Sequence, residues 1–144
     1  MSTVAQILKS KPVNQPVRTL PPDATVREAI ELMAEHRIGA LLVAEGERIV
    51  GIFTERDYAR KIEVRGRASA DTRLAEVMTP DVLHVGPATT TQECMALMTD
   101  KRLRHLPVLD GGQVVGMVSI GDLVKEIISE QQFMIAQLES YIRS

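Results

Sequence analysis

Displaced by 65 residues, the chain aligns with itself without a gap. Residues 22–62, PDATVREAIELMAEHRIGALLVAEGERIVGIFTERDYARKI, fall on 87–127, PATTTQECMALMTDKRLRHLPVLDGGQVVGMVSIGDLVKEI. Pro22 meets Pro87, Leu32–Met33 meets Leu97–Met98, Arg37 meets Arg102, Gly46 meets Gly111 and Asp57 meets Asp122. About a third of the positions are identical, and most others keep their apolar or polar character. A period of this length marks one supersecondary unit used twice. Upstream the match is looser: VAQIL at 4–8 resembles LAEVM at 74–78, with about five residues' difference in spacing. The expected organisation is a first repeat over 4–66, a second over 72–130 and a C-terminal helical extension over 131–144.

Both copies predict the same elements. Thr25 with Glu28, and Thr90 with Glu93, have the spacing of capping boxes, in which hydroxyl and carboxylate satisfy helix-start N–H groups. Ala29, Ile30, Met33 and Ala34 follow at helical spacing, as do Cys94, Met95, Leu97 and Met98. Helix ends near Arg37 and Arg102 lead into the apolar runs ALLVAE and LPVLD. Glycine turns at Gly46 and Gly111–Gly112 join these to RIVGIFT and QVVGMVS, and a last helix starts at Thr54 or Ser119. The order strand, helix, strand, strand, helix predicts an α/β protein. From Asp122 to about Ile142, the apolar positions Leu123, Ile127, Phe133, Met134, Leu138, Tyr141 and Ile142 predict one long helix. Its apolar side either covers the chain's own core or makes a subunit contact.

The bulk numbers narrow the function. At 144 residues, 44% hydrophobic and 25% charged, the chain has the make-up of a globular protein long enough for one ordinary domain or two small halves. No apolar run reaches the roughly 18 to 20 residues of a membrane span. The start MSTVAQILKSKP lacks the basic and apolar regions of a secretory signal, so no export is expected. A single cysteine, Cys94, excludes an internal disulfide and fits the cytoplasm. A net charge of −2 and only four Phe and Tyr, with no Trp, argue against nucleic-acid binding. His36, His84 and His105 have no cysteine or carboxylate at metal-ligand spacing, and no catalytic motif is present, so an enzyme is not expected. Cys94, on the apolar side of its helix, reads as core rather than nucleophile.

The motif written twice is GIFTERD at 51–57 and GMVSIGD at 116–122. A hydroxyl residue followed three residues later by an acid can be only an N-cap and its partner. The same groups can also hold a ligand. A glycine in mid-strand admits a close neighbour. Thr54 or Ser119, with the N–H groups of a helix start, suits a phosphate. Asp57 or Asp122 can accept two hydrogen bonds from a ribose diol, as acids do in dinucleotide folds. Arg56 either helps hold a phosphate or faces water.

The two motifs in register, with RHLPVLDGGQVVGMVS before the second and LAEVMTPDVLHV opening its repeat, resemble a tandem pair of cystathionine-β-synthase (CBS) domains, over about Val4 to Ile128. The resemblance implies two sheets packed on each other with pseudo-twofold symmetry. It also implies clefts that take adenosine-containing ligands: AMP first, then ATP, ADP or NAD, with S-adenosylmethionine also in the family's range. It implies a regulatory module standing alone, a likeness to homodimers, and an unidentified protein effector reached in trans, with no catalytic cofactor, nucleic acid or membrane. The alternative is a ligand-free structural dimerisation scaffold.

Carried over position by position, Asp57 and Asp122 match the family's ribose acids, and Thr54 and Ser119 its phosphate-side hydroxyls. Val17, Arg18 and Thr19, with Val82, Leu83 and His84, match the short strand that reads the adenine edge. Ile38, Gly39 and Ala40, with Leu103, Arg104 and His105, match the segments lining base and phosphates. Copy two offers Arg104 and His105 where copy one has Gly39 and Ala40, so the sites are expected to be unequal. The expected pairing is Asp57 with Arg104 and His105 of the opposite copy.

Overall fold

In a computed structural model of the protein, which describes residues 2–11 and 16–143, the chain divides into two compact units. One is Val17–Val82. The other joins the residues up to Pro16 to those from Leu83 onward. The repeats along the sequence and the units in space are therefore offset, because each repeat's opening segment packs in the other repeat's unit.

In the Val17–Val82 unit, β1 (Thr19–Leu20) runs parallel to β2 (Ala40–Glu45), which forms an antiparallel hairpin with β3 (Arg48–Thr54). Helix α2 (Val26–His36) lies between β1 and β2 in sequence and ends on Arg37 in the left-handed region, at φ 55°. The three-residue α3 (Glu55–Asp57) follows β3, and α4 (Leu74–Val77) closes the unit. Its core is built from Val26, Ala29, Met33, Leu41, Val43 and Phe53, with Leu74 and Val77 from α4.

The other unit repeats this plan. Helix α5 (Thr91–Lys101) ends on Arg102 at φ 56°, and β4 (His105–Asp110) pairs with β5 (Gln113–Ser119). Both hairpins turn at glycines with positive φ, Gly46 and Gly111–Gly112, where a side chain would be strained. Both carry a register shift at the same place, after Val43 and after Val108. The part of α4 is played here by α1 (Val4–Ser10), whose Val4 and Ile7 join Cys94, Met98, Leu106, Val108, Val118 and Leu123 in the core.

The docking of these two segments is the same contact made twice. Leu74 and Ala75 donate N–H bonds to the carbonyls of Ala24 and Pro22. Val4 and Ala5 donate to those of Thr89 and Pro87. The mid-strand glycines serve this docking. A Cβ at Gly51 would lie 2.5 Å from Met78 Sδ, and one at Gly116 would lie 2.6 Å from Leu8 Cδ2. The close neighbour that each glycine admits is a side chain of the opening segment.

Three local expectations need correction. The segment Val82, Leu83 and His84 is not a strand; only Val85 bridges, in parallel, to Val108. The cause is Pro107. In the first copy Leu42 N–H donates to Arg18 O at 3.2 Å, and Pro107, in the equivalent place, has no N–H to give. The capping box at Thr25 forms only its hydroxyl half, Glu28 N–H to Thr25 Oγ1 at 3.1 Å, whereas Thr90 and Glu93 make both halves. The helix begun at Thr54 widens into π-helical turns over Tyr58–Glu63. The helix begun at Ser119 does run on, as α6 (Ile120–Arg143), with Ser144 of the expected extension outside the described residues.

Cys94 is fully buried, and burial, with Glu93 nearby, pushes its thiol pKa up. The thiolate is the reactive form. Iodoacetamide is therefore expected to leave Cys94 unmodified in the folded protein and to label it fully in denaturant; rapid labelling of native protein would contradict this packing.

Candidate functional site

Each hairpin brings the sequence-selected residues to one end of its own unit. In the Val17–Val82 unit, Ala40 at the start of β2 faces Thr54 at the end of β3. The strand β1 lies alongside, Thr19 opposite Leu42, so Val17, Arg18 and Thr19 reach the same end of the sheet as Ile38, Gly39 and Ala40. Glu55 N–H donates to Gly39 O at 3.1 Å, which ties the helix start to that loop. In the other unit His105 faces Ser119, and Ile120 N–H donates to Arg104 O at 2.9 Å. Leu83 and His84 enter this unit just before the Val85 bridge, whereas Val82 ends the first unit. Asp57 thus lies in one unit, and Arg104 with His105 in the other.

The two aspartates both cap their turns, and there the likeness stops. Asp57 is saturated. Its Oδ2 accepts Thr54 N–H at 3.0 Å and Thr54 Oγ1–H at 3.2 Å, while Oδ1 accepts Thr79 Oγ1–H at 3.2 Å and pairs with Lys61 Nζ at 3.2 Å. Lys61 also donates to Val77 O at 2.8 Å, and Thr79 is bonded in both directions to Ile52 of β3. With its side chain 12% exposed, Asp57 has four donors on two oxygens.

Asp122 is anchored through one oxygen. Its Oδ2 accepts Ser119 N–H at 2.8 Å and pairs with Lys11 Nζ at 2.8 Å, and its own N–H donates to Ser119 Oγ at 3.1 Å. Lys11 also donates to Met117 O at 2.6 Å. Among the described residues Oδ1 accepts no hydrogen bond, and the side chain is 26% exposed. A carboxylate held by one oxygen and presenting the other is arranged to accept a hydroxyl from a ligand.

Lys11 and Thr79 were not singled out from the sequence. Lys61 stands one helical turn after Asp57, a spacing that signals an ion pair. Lys11 is 111 positions from Asp122, and only the exchange of opening segments brings the two together. Among the described residues no group of His, Cys, Asp and Glu could hold a metal ion, and no helix is long and apolar enough to cross a membrane.

Comparison with known proteins bears on what this duplicated end of the sheet belongs to. The CBS domain profile matches the chain twice, over residues 4–64 and 74–129. The chain belongs to the CBS domain family. The CBS domain-containing protein CBSX3, mitochondrial, of Arabidopsis thaliana is 39% identical over 99% of this chain and 72% of its own length. The CBS domain-containing protein YhcV of Bacillus subtilis is 33% identical over 80% of this chain and 81% of its own. Among solved structures, a protein with CBS domains from Burkholderia ambifaria shares 56% identity. It superposes with a TM-score of 0.86 over 90% of this chain and 96% of the other. This CBS pair is thus a mixed α/β protein of a kind used in regulation and signal transduction, and the family binds adenosine ligands in general.

Proposed function

We propose that this CBS pair is a regulatory module that binds an adenosine-containing ligand and signals to a protein effector in trans, as a cytoplasmic homodimer without catalytic activity of its own. AMP is the first candidate, followed by ATP, ADP and NAD. The observation that carries this reading is the state of Asp122. Its Oδ2 is fixed by Ser119 N–H and Lys11, and its Oδ1 takes no bond from the described residues. A ribose diol needs an acceptor so arranged. Ser119 Oγ and Arg104 stand at the same end of the unit, where Arg104 O accepts the first N–H of α6. A phosphate beside Arg104 would gain a charge-assisted bond.

The bonding of Asp57 favours the second reading, an empty scaffold, for its own half of the molecule. Its four donors are already internal, so a ribose there would have to displace Thr79 or Lys61. One ligand-binding end and one structural end follow from this difference.

The test is thermal unfolding of nucleotide-free protein against AMP, ADP, ATP, NAD, NADH and S-adenosylmethionine. A ligand at about a hundred times its Kd adds roughly 2.7 kcal/mol, a readily measured rise in Tm. A rise with one of these compounds identifies the signal. No rise with any of them sinks the sensor and leaves the scaffold.

A further inference from the structure

From Gln131 to Arg143 every residue of α6 is exposed, including Phe133, Met134, Ile135, Leu138, Tyr141 and Ile142 at 54–80%. These 13 residues form a rod of about 20 Å. A helical segment of this length is marginal in water unless one face is covered. Gln131, Met134, Leu138 and Tyr141 follow one another at the 3–4–3 spacing of a coiled-coil seam, and Ile128, Ile135 and Ile142 flank that seam at seven-residue intervals.

We propose that this seam is the homodimer contact: α6 pairs antiparallel with α6 of a second copy, Met134 against the partner's Leu138. The proposal rests on the homodimer reading above and specifies its interface. Three observations choose this occupant and this register. First, setting Met134 against the partner's Leu138 also sets Gln131 against the partner's Tyr141. The two polar members of the seam then face each other, and a shift by one heptad would place Gln131 against a methionine. Second, the same register sets residues 131–141 of one chain against residues 131–141 of the other, all within the segment that the chain's own core leaves bare. Third, the area suffices. Met134, Ile135, Leu138, Tyr141 and Ile142 of each copy, at roughly 100 Å² each, give about 1,000 Å² across the pair, about the least that a specific interface needs. Antiparallel pairing also opposes the helix dipoles and puts the bulk of each chain at opposite ends of the rod.

Sedimentation equilibrium of the full chain, and of the double variant I135E/L138E, tests the seam. Both positions are exposed, so the variant is expected to keep its circular dichroism and its Tm for the core while changing from dimer to monomer. Disulfide trapping tests the direction. Gln131→Cys and Tyr141→Cys chains, mixed and oxidised, are expected to cross-link to each other and not to themselves. Two copies of either position alone would lie about 15 Å apart along the axis, beyond disulfide reach. Self-cross-linking of each would overturn the antiparallel register in favour of a parallel one. A variant that stays dimeric would overturn the seam while leaving the homodimer reading in place. A wild-type monomer would overturn both, and neither result touches ligand binding, which the unfolding panel reads separately.

Discussion

Ile7→Ala is expected to destabilise the unit containing the second repeat, although Ile7 belongs to the first repeat in sequence. Its side chain is 2% exposed and packs with Cys94, Met98, Leu106, Val118 and Leu123. Truncating a buried isoleucine to alanine removes its transfer free energy and leaves a cavity, for about 2–5 kcal/mol. Native-state hydrogen exchange is the measurement. Protection should fall across β4 and β5 and persist across β2 and β3. Leu74→Ala is the reciprocal case, since Leu74 is fully buried among Val26, Met33, Leu41 and Phe53. It should weaken β2 and β3 by a comparable amount. Were Ile7→Ala to strip protection from residues 17–66 instead, the exchange of opening segments would be wrong.

The second large effect separates the two aspartates. Asp122→Ala is expected to weaken binding of the adenosyl ligand roughly ten- to a hundred-fold, since a hydrogen bond to a charged group is worth about 1.5–3 kcal/mol. Its cost to folding should stay near that of a lost cap, about 1 kcal/mol. Asp57→Ala should show the opposite balance. It strands the Thr79 hydroxyl, leaves Lys61 only Val77 O, and removes the acceptor for Thr54 N–H, so stability should fall by about 1.5–3 kcal/mol with little change in affinity. Calorimetric titration and denaturant unfolding of both variants provide the four numbers. Equal losses of affinity in the two would contradict the inequality read from their bonding.

Much of this was legible in the chain. The displacement of 65 residues that aligns Gly51 with Gly116 also aligns the hairpin registers, the register shifts after Val43 and Val108, and the left-handed helix ends at Arg37 and Arg102. The long C-terminal helix was legible from its apolar spacing. What failed were details in which two copies of one pattern diverge for local reasons. Pro107 withholds one N–H, and the second copy's opening strand shrinks to the Val85 bridge. For the π turns of Tyr58–Glu63 the sequence carries no comparable signal, and we have no physical account of them.

The candidate site divides along the same line. Turn chemistry is local: a hydroxyl and an acid three residues apart must meet when a helix starts, so Thr54 with Asp57 and Ser119 with Asp122 could be named from the sequence. The state of each carboxylate is set by residues distant in sequence. Thr79 reaches Asp57 from 22 positions away, and Lys11 reaches Asp122 from 111. By itself the sequence determined that one α/β unit is used twice, with the same turn at the same end, because periodicity and capping act over a few residues. Only the tertiary structure decided which opening segment covers which sheet, and hence that Asp57 is saturated and Asp122 keeps an oxygen to offer. Two nearly identical apolar faces can be covered by either segment, and the choice depends on packing between residues that adjacency along the chain does not encode.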